Sequence, residues 1–99
     1  MPERFDLEHL LPDWRPLSPE EAQRAQRELR NELSPAHILY GVSASALAQG
    51  PDHPDDILFR VEGLQKPFAF VHLSWAREAN GEFPYTKLYE TLRDLADDA

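Results

Sequence analysis

The stretch FAFVHLSW, residues 68–75, decides the fold of this chain. So dense a run of aromatic and aliphatic residues predicts a buried strand. Since successive side chains of a strand point to opposite faces, Phe68, Phe70 and His72 share one face, and the residues between them give the other face an apolar character. A sheet that is apolar on both faces needs a cover on each side. We expect that cover to come from helices, the N-terminal segment or another molecule.

Two more strands precede this one along the chain. VSASALAQ (42–49) and ILFRVEG (57–63) alternate with the period of two that is typical of a strand, although the alanines of the first segment also allow a helix. GPDHPDD (50–56), between them, is dense in glycine, proline and aspartate, and residues 63–67 form a second short connection. Short connections join neighbouring antiparallel strands, so the sequence predicts a three-stranded antiparallel meander.

One helix is predicted before the meander along the chain and another after it. In SPEEAQRAQRELRNEL (18–33), Ser18 is a fitting N-cap within a capping box. In YTKLYETLRDLADDA (85–99), we expect Thr86 or Thr91 to cap a second helix. Each segment carries an apolar stripe at helical spacing, formed by Ala22, Ala25, Leu29 and Leu33 in the first and by Leu88, Leu92 and Leu95 in the second.

The predicted order of elements is α-β-β-β-α, a single α+β domain that spans residues 18–99. A proline-rich arm, residues 1–17, precedes it. Prolines interrupt regular structure in the arm, yet the segment is rich in large apolar residues. We therefore expect the arm to pack either on its own domain or on a neighbouring subunit.

The composition excludes several classes of protein. The chain has 99 residues, a net charge of −8 and no cysteine, which excludes disulfides, thiolate metal sites and a cysteine nucleophile. An acidic surface repels phosphate backbones and disfavours nucleic-acid binding. No stretch reaches the roughly 20 apolar residues of a membrane span. We expect a cytoplasmic protein that binds neither nucleic acid nor membrane.

Four short motifs, in this order and spacing, are HILYG (37–41), DDILF (55–59), VHLSW (71–75) and FPYT (83–86). Together they resemble a family of small uncharacterised bacterial proteins, over roughly residues 20–95. The family pattern has proline where Ile38 stands and threonine where Ser74 stands. The resemblance implies one compact domain and carries no function that can be transferred.

His72 is the most conspicuous candidate for a functional group. A half-buried histidine with satisfied hydrogen bonds is the commoner role for such a residue, so we expect it to be structural. His37 is expected to lie too far from His72 to share an ion. The segment DHPDD (52–56) offers carboxylates and His53 to a hard cation, but its composition is explained by turn formation and its spacing matches no cation loop. We therefore expect no metal and no cofactor.

A recognition patch is expected at one end of the meander. The turn 50–56 and the chain that leaves the third strand should meet there, and the apolar face of the sheet lies beside them. The candidate binding residues are Asp55, Asp56, Leu58, Phe68, Phe70, His72, Trp75 and Arg77.

Two functions follow from these features. The first is a non-catalytic protein-interaction module, immunity-like or antitoxin-like, that forms a homodimer or binds an unidentified protein partner through the apolar face or the arm. The alternative is a small-molecule-binding protein or an enzyme with a site around His72 and Trp75. Ser74 and His72 are two positions apart on a strand and do not form a catalytic triad, so no catalytic residue is assigned.

Overall fold

Five antiparallel strands form one sheet, in which each strand pairs with the next along the chain. The computed structural model describes residues 9–74 and 84–98. The strands are β1 (Arg15–Pro16), β2 (Ala44–Gln49), β3 (Asp56–Val61), β4 (Phe68–His72) and β5 (Tyr85–Tyr89). Two helices lie wholly within the described residues, α1 (Pro19–Glu32) and α2 (Leu92–Asp98).

The predicted α+β class is confirmed, and the predicted three-stranded meander is part of a larger sheet. β2, β3 and β4 pair antiparallel in the order that the sequence indicates. β1 comes from the proline-rich arm, and β5 comes from the first part of the segment that was expected to be helical. Thr86 therefore lies in a strand, while the hydroxyl of Thr91 accepts the backbone N–H of Asp94 at 3.1 Å and caps α2.

α1 covers one side of the sheet, which we call the α1 face. Its N-terminus has the predicted capping box, in which Glu21 N donates to the Ser18 hydroxyl and Ser18 N donates to the Glu21 carboxylate. Its apolar stripe packs on the strands, so the sequence predicted both its start and its orientation. The buried residues of this cluster are Ala25, Leu29, Leu39, Ala46, Ile57, Phe59, Val61, Ala69, Val71 and Leu73.

The opposite side of the sheet, which we call the arm face, is covered by residues 9–17 of the N-terminal arm and by α2. Leu58 is fully buried there and Phe68 is 8% exposed. Because the arm packs against its own sheet, the face does not need a second chain to cover it. The buried residues of this cluster are Leu11, Trp14, Ala48, Leu58, Phe68, Tyr89, Leu92 and Leu95.

A bulge in β2 moves its side chains from one face to the other. Ala46 lies opposite Phe59, whereas Ala48 lies opposite the adjacent residue Leu58, so Leu47 is the extra residue. Ala46 consequently packs on the α1 face and Ala48 on the arm face. From the period of two in VSASALAQ, one would expect Ala46 and Ala48 to share a face. The pattern does not reveal the bulge that separates them.

A buried carboxylate joins the end of α1 to the end of β4. Glu32 is 1% exposed, and its Oε1 accepts the backbone N–H of Ser74 at 2.7 Å and the Ser74 hydroxyl at 2.9 Å. One helical turn earlier, a hydrogen bond to Glu32 raises the pKa of Glu28 to about 7, with burial and the neighbouring charge acting in the same direction. Protonated Glu28 thus serves as a donor to Glu32.

This pair predicts that stability falls as pH rises. The pKa of Glu28 in the folded state lies above its ordinary value of 4.5, so its contribution is complete below that value and is lost as pH rises through 7. We expect the wild-type free energy of unfolding to fall by about 1 kcal/mol between pH 5 and pH 8 after solvent screening. Glu28→Gln keeps a neutral donor and should remove this component. Urea unfolding at the two pH values measures it, and the exposed Glu62→Gln variant should keep the wild-type dependence.

Candidate functional site

Half of the outer edge of β2 pairs with no other strand in the described ranges. β1 pairs only with Ala48 and Gln49, because the chain leaves the sheet to enter α1. Next to these pairs, Leu17 N donates to Leu47 O at 3.1 Å. Beyond this point, Ala46 N donates to the side-chain oxygen of Gln26 at 2.9 Å, so α1 takes the place of a strand.

The backbone of Ala44 points toward this open edge. Ser43 accepts the N–H of Glu62 at 3.0 Å, which places the hydrogen-bonding groups of Ser43 on the β3 side. The groups of consecutive residues in a strand alternate in direction, and Ala44 lies opposite Val61 in the register. The N–H and C=O of Ala44 therefore face away from β3, as does the N–H of Ala46, which Gln26 accepts.

A groove runs beside the open edge, between α1 and the start of β2. Its volume is about 660 Å³. Tyr40 lines one side and is 55% exposed, and Ile38, two residues earlier, is 56% exposed. α1 and its C-cap residue contribute Gln26, Leu29, Arg30 and Leu33, and residues 40–45 complete the lining. The groove thus combines apolar side chains, one cation and unused backbone groups.

At the opposite end of β2, the turn to β3 brings two histidines together. Asp56 and His72 are cross-strand partners, and Asp56 Oδ1 lies 2.6 Å from His72 Nδ1. The ring of His53 lies 4.9 Å from the ring of His72, and its Nδ1 is 3.4 Å from Asp55 Oδ2. We call His53, Asp55, Asp56 and His72 the histidine cluster.

Backbone hydrogen bonds fix the turn that carries the cluster. Gly50 N donates to Asp56 O at 2.7 Å, and Leu73 N donates to Asp55 O at 2.9 Å, which ties the turn to the end of β4. A Cβ on Gly50 would lie 3.1 Å from the Cβ of Asp56 and 3.3 Å from the Trp14 ring. A residue without a side chain is therefore the one that fits this close approach.

An aromatic cleft adjoins the cluster on the arm face. Its volume is about 220 Å³, and its walls include Trp14, Phe70, Tyr85 and Tyr89, with Asp56, Lys87 and Asp98 at its edges. The Tyr89 hydroxyl donates to Asp98 at 2.7 Å, and Lys87 pairs with the same carboxylate. Burial, followed by the hydrogen bond to Asp98, raises the pKa of Tyr89. Its hydroxyl therefore stays protonated as a donor.

The structure brings together part of the expected recognition patch. Asp55, Asp56 and His72 are neighbours, as the topology predicted. Trp75 and Arg77, together with the expected turn at residues 80–81, lie outside the described residues.

The apolar half of the patch is divided between the interior and the surface. Leu58 and Phe68 are core residues of the arm face and are not accessible to a partner in this fold. Phe70 is half-buried, with its ring 6.0 Å from Trp14 and 6.3 Å from Tyr85.

The sequence offered His53 as a ligand for a hard cation and favoured a role in the turn, but it did not indicate that His53 lies beside His72. The strand register carried the signal. The turn ends at Asp56, and Asp56 pairs with His72 on β4, so the turn residues before Asp56 lie close to His72. His37, the partner considered from the sequence, is engaged elsewhere. Its Nε2 lies 2.9 Å from Pro84 O, and its Nδ1 accepts the N–H of Leu39.

Comparisons with protein-family models, curated proteins and solved structures find no match to this chain. The resemblance noted in the sequence motifs therefore stays a prediction. In the described part of the chain, no helix is both long enough and apolar enough to cross a membrane.

Proposed function

We propose that this protein is a non-catalytic interaction module that binds an extended segment of a partner protein along the open edge of β2. The observation that carries the proposal is the outward-facing backbone of Ala44 beside the groove. An extended peptide can add a strand to such an edge, in the mode known as β-augmentation. Main-chain hydrogen bonds supply affinity in this mode, and side-chain pockets supply specificity.

The dimensions of the groove suit a short segment. Residues 42–45 line it, and the last two of them begin β2. An extended chain of this length spans about 13 Å, enough for about four residues of a partner. Alternate side chains of that segment would lie between Leu29 and Leu33, at the end of α1, and Tyr40 on the other wall. Arg30, also in the lining, is placed to receive an acidic side chain or a carboxyl terminus.

The charge of the whole chain bears on how a partner arrives. A net charge of −8 steers a basic protein toward the surface and speeds its encounter. An immunity-like or antitoxin-like inhibitor of a basic partner is a specific form of the proposed function. The homodimer also stays a prediction, but the apolar face that suggested it is covered by the arm and α2.

A random peptide library displayed on phage, panned against the purified protein, tests the proposal. We expect peptides with apolar residues at alternate positions, and their affinity should fall about tenfold or more in Ala44→Pro and in Tyr40→Ala. Proline at position 44 removes only the outward N–H and leaves the pairing with β3 intact. Tyr85→Ala is the matched control, because Tyr85 is 53% exposed and lies outside the groove. Selected peptides that bind Ala44→Pro and Tyr40→Ala as tightly as wild type would contradict the proposal.

The alternative function, a small-molecule-binding protein or an enzyme around His72 and Trp75, is favoured by the aromatic cleft. A concave site with aromatic walls and a few convergent charges is typical of ligand pockets. The same variants separate the two functions. A small molecule held in the cleft should lose affinity in Tyr85→Ala, which removes a cleft wall, and keep it in Tyr40→Ala.

A further inference from the structure

We propose that His53, Asp55 and His72 form a binding site for one divalent first-row transition ion of the zinc class. Asp56 is the residue that orients His72 within it. This inference is independent of the peptide-binding edge, because it rests on a different set of residues at the other end of β2. Nothing in the sequence spacing alone indicated the site, since one ligand comes from the far end of β4.

The distances between the donor atoms suit an ion of this size. One ligand atom from each of the three residues lies within 4.8 Å of the others. The centre of such a triangle is at most about 2.8 Å from each atom, so inward shifts of under about 1 Å reach zinc–ligand distances. His53 Nδ1 and Asp55 Oδ2 are already 3.4 Å apart. Two ligands of a tetrahedral zinc ion are separated by about 3.3 Å.

The side chains have room to make these shifts. The His53 side chain is 50% exposed and the His72 side chain is 43% exposed. The backbone beneath them is held by the turn hydrogen bonds, including the bond from Leu73 N to Asp55 O. The hydrogen bond from Asp55 N to His53 Nδ1 at 3.1 Å is the contact that an ion at this nitrogen would replace.

Asp56 supplies the outer support that metal-binding histidines commonly have. Its side chain is 13% exposed, and its Oδ1 lies 2.6 Å from His72 Nδ1. A proton held on Nδ1 by this carboxylate leaves the Nε2 lone pair of His72 available to an ion. Cross-strand pairing places the two residues side by side, and the hydrogen bond to Asp56 then sets the orientation of the His72 ring.

The donor set determines which ions are favoured. Two imidazoles and one carboxylate suit zinc, iron, cobalt or nickel, whereas calcium and magnesium prefer oxygen ligands alone. Three protein ligands leave a position for water or for a ligand from another molecule, which is the pattern of an open zinc site. We therefore assign the histidine cluster to a zinc-class ion with one exchangeable position.

Isothermal titration with zinc chloride tests the assignment on the full chain. We expect one ion per wild-type chain. His53→Gln, His72→Gln and Asp55→Asn should each lose more affinity than the about tenfold to hundredfold that is typical of removing an outer support such as Asp56. Asp56→Asn should weaken binding while keeping the stoichiometry, as expected for a positioning residue. His9→Gln is the matched histidine control, and Asp52→Asn is the matched carboxylate control in the same turn. Both controls should bind as wild type does.

Two further readouts separate a built site from surface adsorption. Zinc should shift the imidazole NMR signals of His53 and His72 and leave those of the buried His37 in place. It should also raise the melting temperature of wild type and not of the His53→Gln/His72→Gln double variant, because binding to the folded state stabilises by mass action. Equal zinc affinity in wild type and the double variant would overturn the assignment. So would an absence of binding to wild type at millimolar zinc.

Discussion

Trp14→Ala should lower the free energy of unfolding by about 3–4 kcal/mol, the range for removing a large aromatic side chain from a packed core. Trp14 is 9% exposed and belongs to the buried cluster that covers the arm face. Its ring meets Phe70 edge-on at 6.0 Å, an arrangement that adds to the stabilisation from burial alone. Chemical denaturation followed by circular dichroism measures the loss, since the variant lacks one of the tryptophans that would report it by fluorescence.

The same variant should expose the arm face. Without the indole, Phe70 and the neighbouring core side chains become accessible, so the variant should bind a hydrophobic dye and associate at concentrations where wild type does not change mass. Light scattering coupled to gel filtration follows the mass. Trp14→Phe should recover most of the stability, and Ile38→Ala, at a site that is 56% exposed, should cost little. Equal stability of Trp14→Ala and Ile38→Ala would show that the arm does not cover this face.

The arm is where sequence reasoning left two alternatives open, and contacts decide between them. Within residues 9–17 regular structure is confined to short pieces, as the prolines indicated, and Leu11 and Trp14 are buried, as the apolar character indicated. Whether it packs on its own domain depends on the direction in which the chain leaves β1, and local sequence does not contain that direction. The pairing of Arg15 and Pro16 with β2 carries the arm across its own sheet.

β5 was missed because two periodicities coincide in one segment. Leu88, Leu92 and Leu95 are spaced four and three residues apart and predict one helical stripe. In the structure, Leu88 belongs to a strand and packs on the α1 face, while Leu92 and Leu95 belong to α2 on the arm face. Tyr85, Lys87 and Tyr89 carried the competing period-two signal, and tertiary pairing with β4 determined the outcome.

Parts of the candidate sites could likewise be predicted from the sequence, and other parts could not. The predicted order of the strands was enough to place Asp55 and Asp56 near His72. The start of one strand of an antiparallel pair lies beside the end of the other, and here β3 starts at Asp56 and β4 ends at His72. The place of His53 needed the exact register. The open edge of β2 was invisible from sequence, since it depends on how few residues of β1 pair before α1 begins.

Glu32→Ala is expected to cost about 3 kcal/mol, the other large effect in this structure. The substitution removes the carboxylate that accepts the partly buried N–H and hydroxyl of Ser74, and it creates a cavity where a fully packed side chain ends α1. Ser34→Ala is the matched control, two residues along. Its hydroxyl is buried and forms no hydrogen bond within the described residues, so its removal should be neutral or slightly stabilising.

The loss at Glu32 also bears on the proposed peptide groove. The bonds to Ser74 hold the C-terminal end of α1 against the sheet, and Leu29 and Leu33 near that end form one groove wall. Releasing the end should move this wall, so Glu32→Ala should weaken selected peptides even at temperatures where the variant stays folded. Glu32→Gln keeps an acceptor oxygen and should recover part of both losses. Peptide affinity that is unchanged in a folded Glu32→Ala protein would mean that the position of α1 does not determine binding.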